Sequence, residues 1–219
     1  MLIDTKKLSE IADTLKMLCM LVAAVFEIRI LRTSQGTVSG YFDCPKVAVA
    51  AIEPYIGKND IYVSLNPPDP ALIERSRNIL TPYAKKTTGD SEIARLNWLL
   101  VDIDPVRKSG TASTEEEKHS ALTLAADIVK GLRKNFNFPA PVLCDSGNGY
   151  HLLYHLAMKN TSENVTVLKN LLAALDATYS TDAAKVDRVT FNPARITKLY
   201  GVLTVKGDNS PERPHRWSG

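Results

Sequence analysis

Two aspartates, Asp102 and Asp104, close the run "NWLLVDID", whose remaining residues are almost all apolar. Side chains on a strand alternate between faces, so Leu99, Val101 and Ile103 are expected on one face and both aspartates on the other, at most ~7 Å apart. Unpartnered carboxylates that close repel one another, and a divalent cation removes that cost while drawing on hard oxygen ligands. Taken alone, the pattern fits a metal site and a solvated strand end equally well.

A second group sits in "DSGNGYHLLYHL". Glycines let a backbone approach a ligand closely, and a hairpin here sets Ser146 beside the start of the strand that carries His151. A hydroxyl and an imidazole so placed suit a phosphate. Standing alone, His151 and His155 read as ordinary strand-face residues, and zinc is disfavoured because four residues separate them by ~13 Å on a strand.

The third group lies in the tail. From Lys185 to Gly219 there are seven Lys or Arg against three Asp or Glu, a local excess of positive charge in a chain whose net charge is +3. Asp187 follows apolar Val186 and offers a third carboxylate, while Arg188, Arg195, Lys198 and Lys206 are candidate phosphate ligands. Read one at a time, each is equally a solvated basic side chain.

The elements that must carry these groups follow from periodicity. Leu8, Ile11, Leu15 and Leu18 give a helix from Asp4 to about Met20, and Val25 to Leu31 alternates as a strand. "TSQGT" reads as a turn, Val38 to Phe42 as a strand, and Pro45 opens a short helix through Ile52. "DIYVSLNPPDP" is a short β-rich run ended by prolines, and Pro105 stops the strand Asn97 to Asp104. Thr114 with Glu117 forms a capping-box pattern ahead of a long helix with Leu122, Ala125, Val129, Leu132 and Phe136 on its apolar face. "PVLCDSGNGYHLLYHL" reads as a β-hairpin. Val165, Leu168, Leu171, Leu172 and Leu175 mark a helix from about Ser162 to Tyr179, and the tail mixes short strands with turns. The expectation is one α+β domain built on a mainly antiparallel sheet.

Composition agrees. The chain has 219 residues and 44% hydrophobic content, enough for a continuous core. Cys19, Cys44 and Cys144 are scattered and odd in number, which argues against a disulfide framework or a cysteine zinc site and fits a reducing, cytoplasmic setting. The apolar run from Met17 to Phe26 is too short for a membrane span and lacks a secretory cleavage site, so it reads as core.

Two aspartates on one strand, a glycine-turn hairpin with Ser and His, and a late third Asp followed by Arg and Lys, occur here in the order typical of the archaeo-eukaryotic primase superfamily. The chain resembles that superfamily's primase-polymerase branch, found in plasmids, phages, integrated mobile elements and CRISPR-associated proteins. "VDID" is similar to its first motif, "GYH" to its small-x-His second and "VD" to its hydrophobic-Asp third. "FEIRIL…GTVSGYFD…IYVSLNPPDP" and "NPARITKLYGVLTVKGDNSPERPHR" resemble the flanks of mobile-element members, so most of the chain is covered.

The resemblance implies an RRM-like antiparallel sheet flanked by helices and a template-directed DNA primase and polymerase, read as one catalytic domain over residues 1–219, with excision from a longer chain left open. It implies two divalent cations, Mn2+ or Mg2+, on Asp102, Asp104 and Asp187. It further implies a triphosphate held by Ser146 and His151 with Arg195, Lys198 and Lys206, and Asn192 and Arg188 as weaker contributors. The implied partners are a single-stranded DNA template, a primer strand, dNTP or NTP, and a helicase or accessory domain in a longer protein; no membrane is implied. Template phosphates would meet the tail together with Arg75, Arg77, Lys85 or Lys86, and bases would stack on Trp217 or Tyr150. No zinc-ligand cluster of the kind many primases carry is found, which leaves unaided initiation open.

Three rivals remain. Nucleotide-sugar transferases with an Asp-x-Asp leave the Ser-His hairpin and the third Asp unexplained, and aspartate-nucleophile phosphatases carry their motif early in a parallel unit. An inactive primase-like DNA-binding module has no physical need to gather acids beside a polyanion.

Overall fold

The computed structural model describes residues 3–19 and 25–219. Helix α1 (Thr5–Cys19) buries Ile11, Leu15 and Leu18; the end expected at Met20 and residues 20–24 of the apolar run lie outside the described residues. Strands β1 (Phe26–Thr33) and β2 (Gly36–Phe42) form a hairpin, followed by α2 (Pro45–Ile52) and β3 (Asp60–Ser64). After a long segment with short 3₁₀ turns come β4 (Arg95–Pro105), α3 (Glu115–Phe136), β5 (Val142–Asp145), β6 (Tyr150–Lys159) and α4 (Ser162–Tyr179). The tail holds β7 (Ala184–Asp187), β8 (Ile196–Lys198), β9 (Leu203–Thr204) and β10 (Arg216–Trp217).

One mainly antiparallel sheet was the expectation; the strands form two four-stranded sheets and a two-stranded ribbon. The first sheet has the order β2-β1-β3-β8 and the second β5-β6-β4-β7, with β9 and β10 paired separately. All the named strand pairs are antiparallel. The chain crosses from the second sheet to the first between β7 and β8, a link too short and irregular to read from periodicity.

Strand β4 is buried on both faces, which explains its near-continuous apolar run. Leu96, Leu99, Val101 and Ile103 join the core beneath α3 and α4, whereas Trp98 and Leu100 join the core of the first sheet. Leu96 and Leu99 share a core although three residues apart, because the register with β6 shifts between Leu96 and Trp98. A bulge inserts one residue and reverses the alternation. Asn66 holds this bulge: its Oδ1 accepts the amides of Asn97 and Trp98 at 2.8 and 3.0 Å.

Helix α3 starts with the expected box, Thr114 accepting from the Glu117 amide and Glu117 from the Thr114 amide. Its buried face is Ala121, Leu124, Ala125, Ile128 and Leu132, rotated from the expected one. Phe136, assigned to that face, is 70% exposed. Asn137 takes the left-handed conformation that ends the helix, the Phe138 amide returns to the Leu132 carbonyl, and Phe138 packs on the core instead. Among the described residues, no helix is long and apolar enough to cross a membrane.

Candidate functional site

The β4 register brings the chemistry together. Asp102 stands directly opposite His151 on β6 and Asp187 on β7, and Asp104 opposite Lys185. Directly opposed residues project to the same face of a sheet. That face is the one that carries Trp98 and Leu100 against the first sheet, so the aspartates end a buried seam and open into the gap between the two sheets.

A cleft of about 300 Å³ fills this gap. Its floor and one wall are Asp102, Asp104, Arg107, Ser146, Asn148 and His151 from the second sheet and its loops. The other wall carries Asp60, Tyr62, Thr197 and Lys198 from β3 and β8, with Arg32, Arg195 and Lys206 at its rim. Five Arg or Lys thus face three Asp, so the cleft is anion-seeking while its floor is acidic.

His151 is 5% exposed. Its Nε2 lies 3.3 Å from Asp102 Oδ1, and its Nδ1 lies 2.7 Å from the Tyr200 hydroxyl. Nε2 thus faces the Asp102 carboxylate while Nδ1 shares a hydrogen bond with the Tyr200 hydroxyl. Burial pushes the Tyr200 hydroxyl far above its ordinary value, so it stays a donor. Burial would likewise raise the Asp102 carboxyl, but His151, then Arg195 and Lys206, outweigh it and hold Asp102 below its ordinary value. Asp104 is pushed up, by burial first and then by the charge of Asp102, against the opposing Arg107 at 3.3 Å.

Two glycines allow the hairpin turn to pack closely, Gly149 against β4 and Gly147 against β9. A Cβ on Gly149 would lie 2.3 Å from the Ile103 carbonyl oxygen, and one on Gly147, whose φ is +91°, would lie 2.4 Å from Thr204 Oγ1. The turn is fixed from within: the Gly147 amide donates to Asp145 Oδ1 and the Gly149 amide to Ser146 Oγ. Ser146 therefore keeps its own hydroxyl proton for a partner across the cleft.

Of the residues expected from sequence, the cleft brings together Asp102, Asp104, Ser146, His151, Arg195, Lys198 and Lys206. Asp187 shares their sheet face, yet it accepts the Val189 amide and borders a neighbouring depression with Arg188. Asn192 donates to Asp90, and neither it nor Arg188 is among the described residues lining the cleft. The template candidates are largely engaged elsewhere. Arg75 and Lys86 pair with Glu92, Arg77 with Glu74, Tyr150 lies under Lys118 and Trp217 under Lys7.

Sequence reasoning missed Arg107, Arg32, Asp60, Asn148 and Thr197. Arg107 follows Pro105 closely, a signal that was legible; the others depend on the packing of two sheets, which no local pattern announces.

The donor set suits a divalent cation in kind, three hard carboxylates on adjacent strands with a repelling pair among them. Their side chains do not converge: among the described residues, no three His, Cys, Asp or Glu are gathered closely enough to hold an ion.

No protein-family model matches the sequence, and no curated protein matches it. Among solved structures the chain is similar to the AEP domain of the cyanophage S-2L primase-polymerase (PrimPol), with a TM-score of 0.54 and 12% identity over 96% of this chain and 87% of that one. At this identity the likeness establishes a shared α+β fold with antiparallel sheets flanked by helices.

Proposed function

We propose that the chain is a template-directed nucleotidyltransferase, a DNA primase and polymerase that joins nucleoside triphosphates to a 3′-hydroxyl on single-stranded DNA. One observation carries this reading: Asp102, His151 and Asp187 stand in register on one sheet face, beside Asp104 and opposite a basic wall. The similarity in fold to a phage primase-polymerase domain supports it.

Asp102, Asp104 and Asp187 would hold the divalent cations, which lower the pKa of an attacking hydroxyl and neutralise a departing pyrophosphate. Ser146 would donate its hydroxyl, and His151 an N–H, to phosphate oxygens of the nucleotide. Arg195, Lys198 and Lys206 spread positive charge along the triphosphate, and Arg107 keeps Asp104 oriented. Asp102, Asp104, His151, Asp187 and Lys198 are held on strand backbone.

A second reading has an observation of its own. Asp187 borders the next depression rather than the cleft, as in a module that binds DNA without turning over nucleotide. Titration of a labelled deoxynucleoside triphosphate with and without Mn2+, for the parent and for Asp102→Ala/Asp104→Ala, separates the two. Metal-dependent binding by the parent that the double variant loses is expected. Salt-sensitive binding of single-stranded DNA by both proteins, with no metal-dependent uptake of nucleotide by either, would favour the inactive module.

A further inference from the structure

One buried acid of the cleft has no role in this scheme. Asp60 opens β3, and its side chain and that of Lys198 are each 6% exposed. Lys198 Nζ donates to Asp60 Oδ1 at 2.9 Å, and Arg32 approaches Oδ2 at 3.5 Å. Tyr62 stands opposite Lys198 in the β3–β8 register, and the ammonium lies 5.6 Å from the ring centroid.

An acid in the seat of a polyanion repels it, so its presence calls for a reason. Core stability is a poor one, because the pair lines the cleft rather than either apolar core. A buried lysine without a partner gives up its proton rather than remain charged. One Asp60 carboxylate faces Lys198, Arg32 and Lys206, so the cluster stays positive after the acid is counted.

We propose that Asp60 is a positioning residue: it keeps Lys198 protonated and aims it, with Arg32, at the phosphates of the incoming nucleoside triphosphate. This role rests on the nucleotide reading above. The opposite role is a placeholder that the phosphates must displace, and its removal would tighten binding.

The pH dependence separates the two. Burial pulls the Lys198 ammonium below its ordinary value and Asp60 opposes that pull, so losing Asp60 lowers the pH at which Lys198 is discharged. Tyr62 is pushed up to about 12 by burial and Asp60, outside the relevant range. Arg32 and Arg195 stand at the rim of the same cleft. Across the cleft stand His151, Asp102 and Asp104, and Lys206 shares the rim.

Affinity for a fluorescent deoxynucleoside triphosphate with Mn2+ would be measured from about pH 7 to about pH 10 for the parent, Asp60→Asn, Lys198→Arg and the double variant. Asp60→Asn is expected to bind roughly tenfold more weakly on the alkaline side, its decline displaced by about one pH unit. Asp60→Asn/Lys198→Arg is expected to recover affinity there, since arginine does not discharge. Asp60→Asn binding as tightly as the parent, or more tightly, at every pH overturns the role. Should circular dichroism show Asp60→Asn unfolded, Lys198→Arg alone decides: it must keep the alkaline affinity that the parent loses, and parallel curves overturn the role. A parent that binds no nucleotide overturns the functional reading and this role together; a binding parent with an indifferent Asp60→Asn overturns this role alone.

Discussion

Asp104 shows how a residue's chemistry and its stability can oppose each other. Burial and the neighbouring Asp102 push its carboxyl up, so the charged form at neutral pH weakens the fold. About half of the side chain is open to the cleft, and solvent screening keeps the effect below ~1 kcal/mol. Asp104→Asn is therefore expected to melt at or slightly above the parent's midpoint while losing turnover; a clear drop in thermal midpoint would contradict the placement of Asp104 outside the core. Both aspartates were legible in sequence because polar residues ending an apolar strand stand out against it. Asp60 and Thr197 were not, since their partners lie 138 and 46 positions away in the chain.

At the scale of elements, the hydrophobic pattern located nearly every helix and strand, and the misreadings have physical causes. The α3 face was misjudged at Phe136 because a left-handed Asn137 reverses the chain and lets Phe138 take the core position. The β4 bulge was invisible because Leu96 to Val101, apart from Asn97, is apolar in either phase. Asn66 is what makes that bulge tolerable, and Asn66→Ala would leave two buried amides unpaired. The expected cost is about 2–4 kcal/mol in urea unfolding, with activity falling as Asp102 and Asp104 lose their register; a loss under about 0.5 kcal/mol would show that the bulge needs no partner. Gly149→Ala would drive a methyl against the Ile103 carbonyl. It is expected to separate Ser146 and His151 from Asp102 and lower activity by more than its effect on folding, read as turnover at a temperature where the variant remains folded.

The whole molecule is two sheets joined by a link at the cleft, and this was the least legible feature, because no local period tells one eight-stranded sheet from two of four. The first sheet has its own buried charge network. Glu27, fully buried, accepts from Arg29 at 2.7 Å, Ser39 at 2.6 Å and the Thr88 amide at 3.1 Å. Burial alone would raise its carboxyl, but these partners hold it below its ordinary 4.5. A lowered folded value means the stabilisation is complete above the unfolded value and lost as pH falls through the folded one. Urea unfolding of the parent should therefore weaken from about pH 4.5 downward, and Glu27→Gln should be flatter there. At neutral pH that variant should be about 3–5 kcal/mol less stable, because Arg29 is left buried without its acid. The C-terminal segment is tied to the second-sheet half of the molecule, with Arg213 on Glu117 and Arg216 on Glu115 in the first turn of α3, and Gly219 paired with Asp145 at the end of β5. Cleft geometry thus depends on both sheets and the tail, so the proposed chemistry is tested on a protein that keeps all three.

The most direct measurement is incorporation of labelled nucleotides with Mn2+ on primed and unprimed single-stranded DNA, beside Asp102→Ala/Asp104→Ala as control. Product that depends on both the template and the two aspartates is the expected result, with the unprimed arm showing whether the protein starts strands unaided. No product on either template, from a folded parent that still binds DNA, would contradict the assignment of this cleft to nucleotidyl transfer.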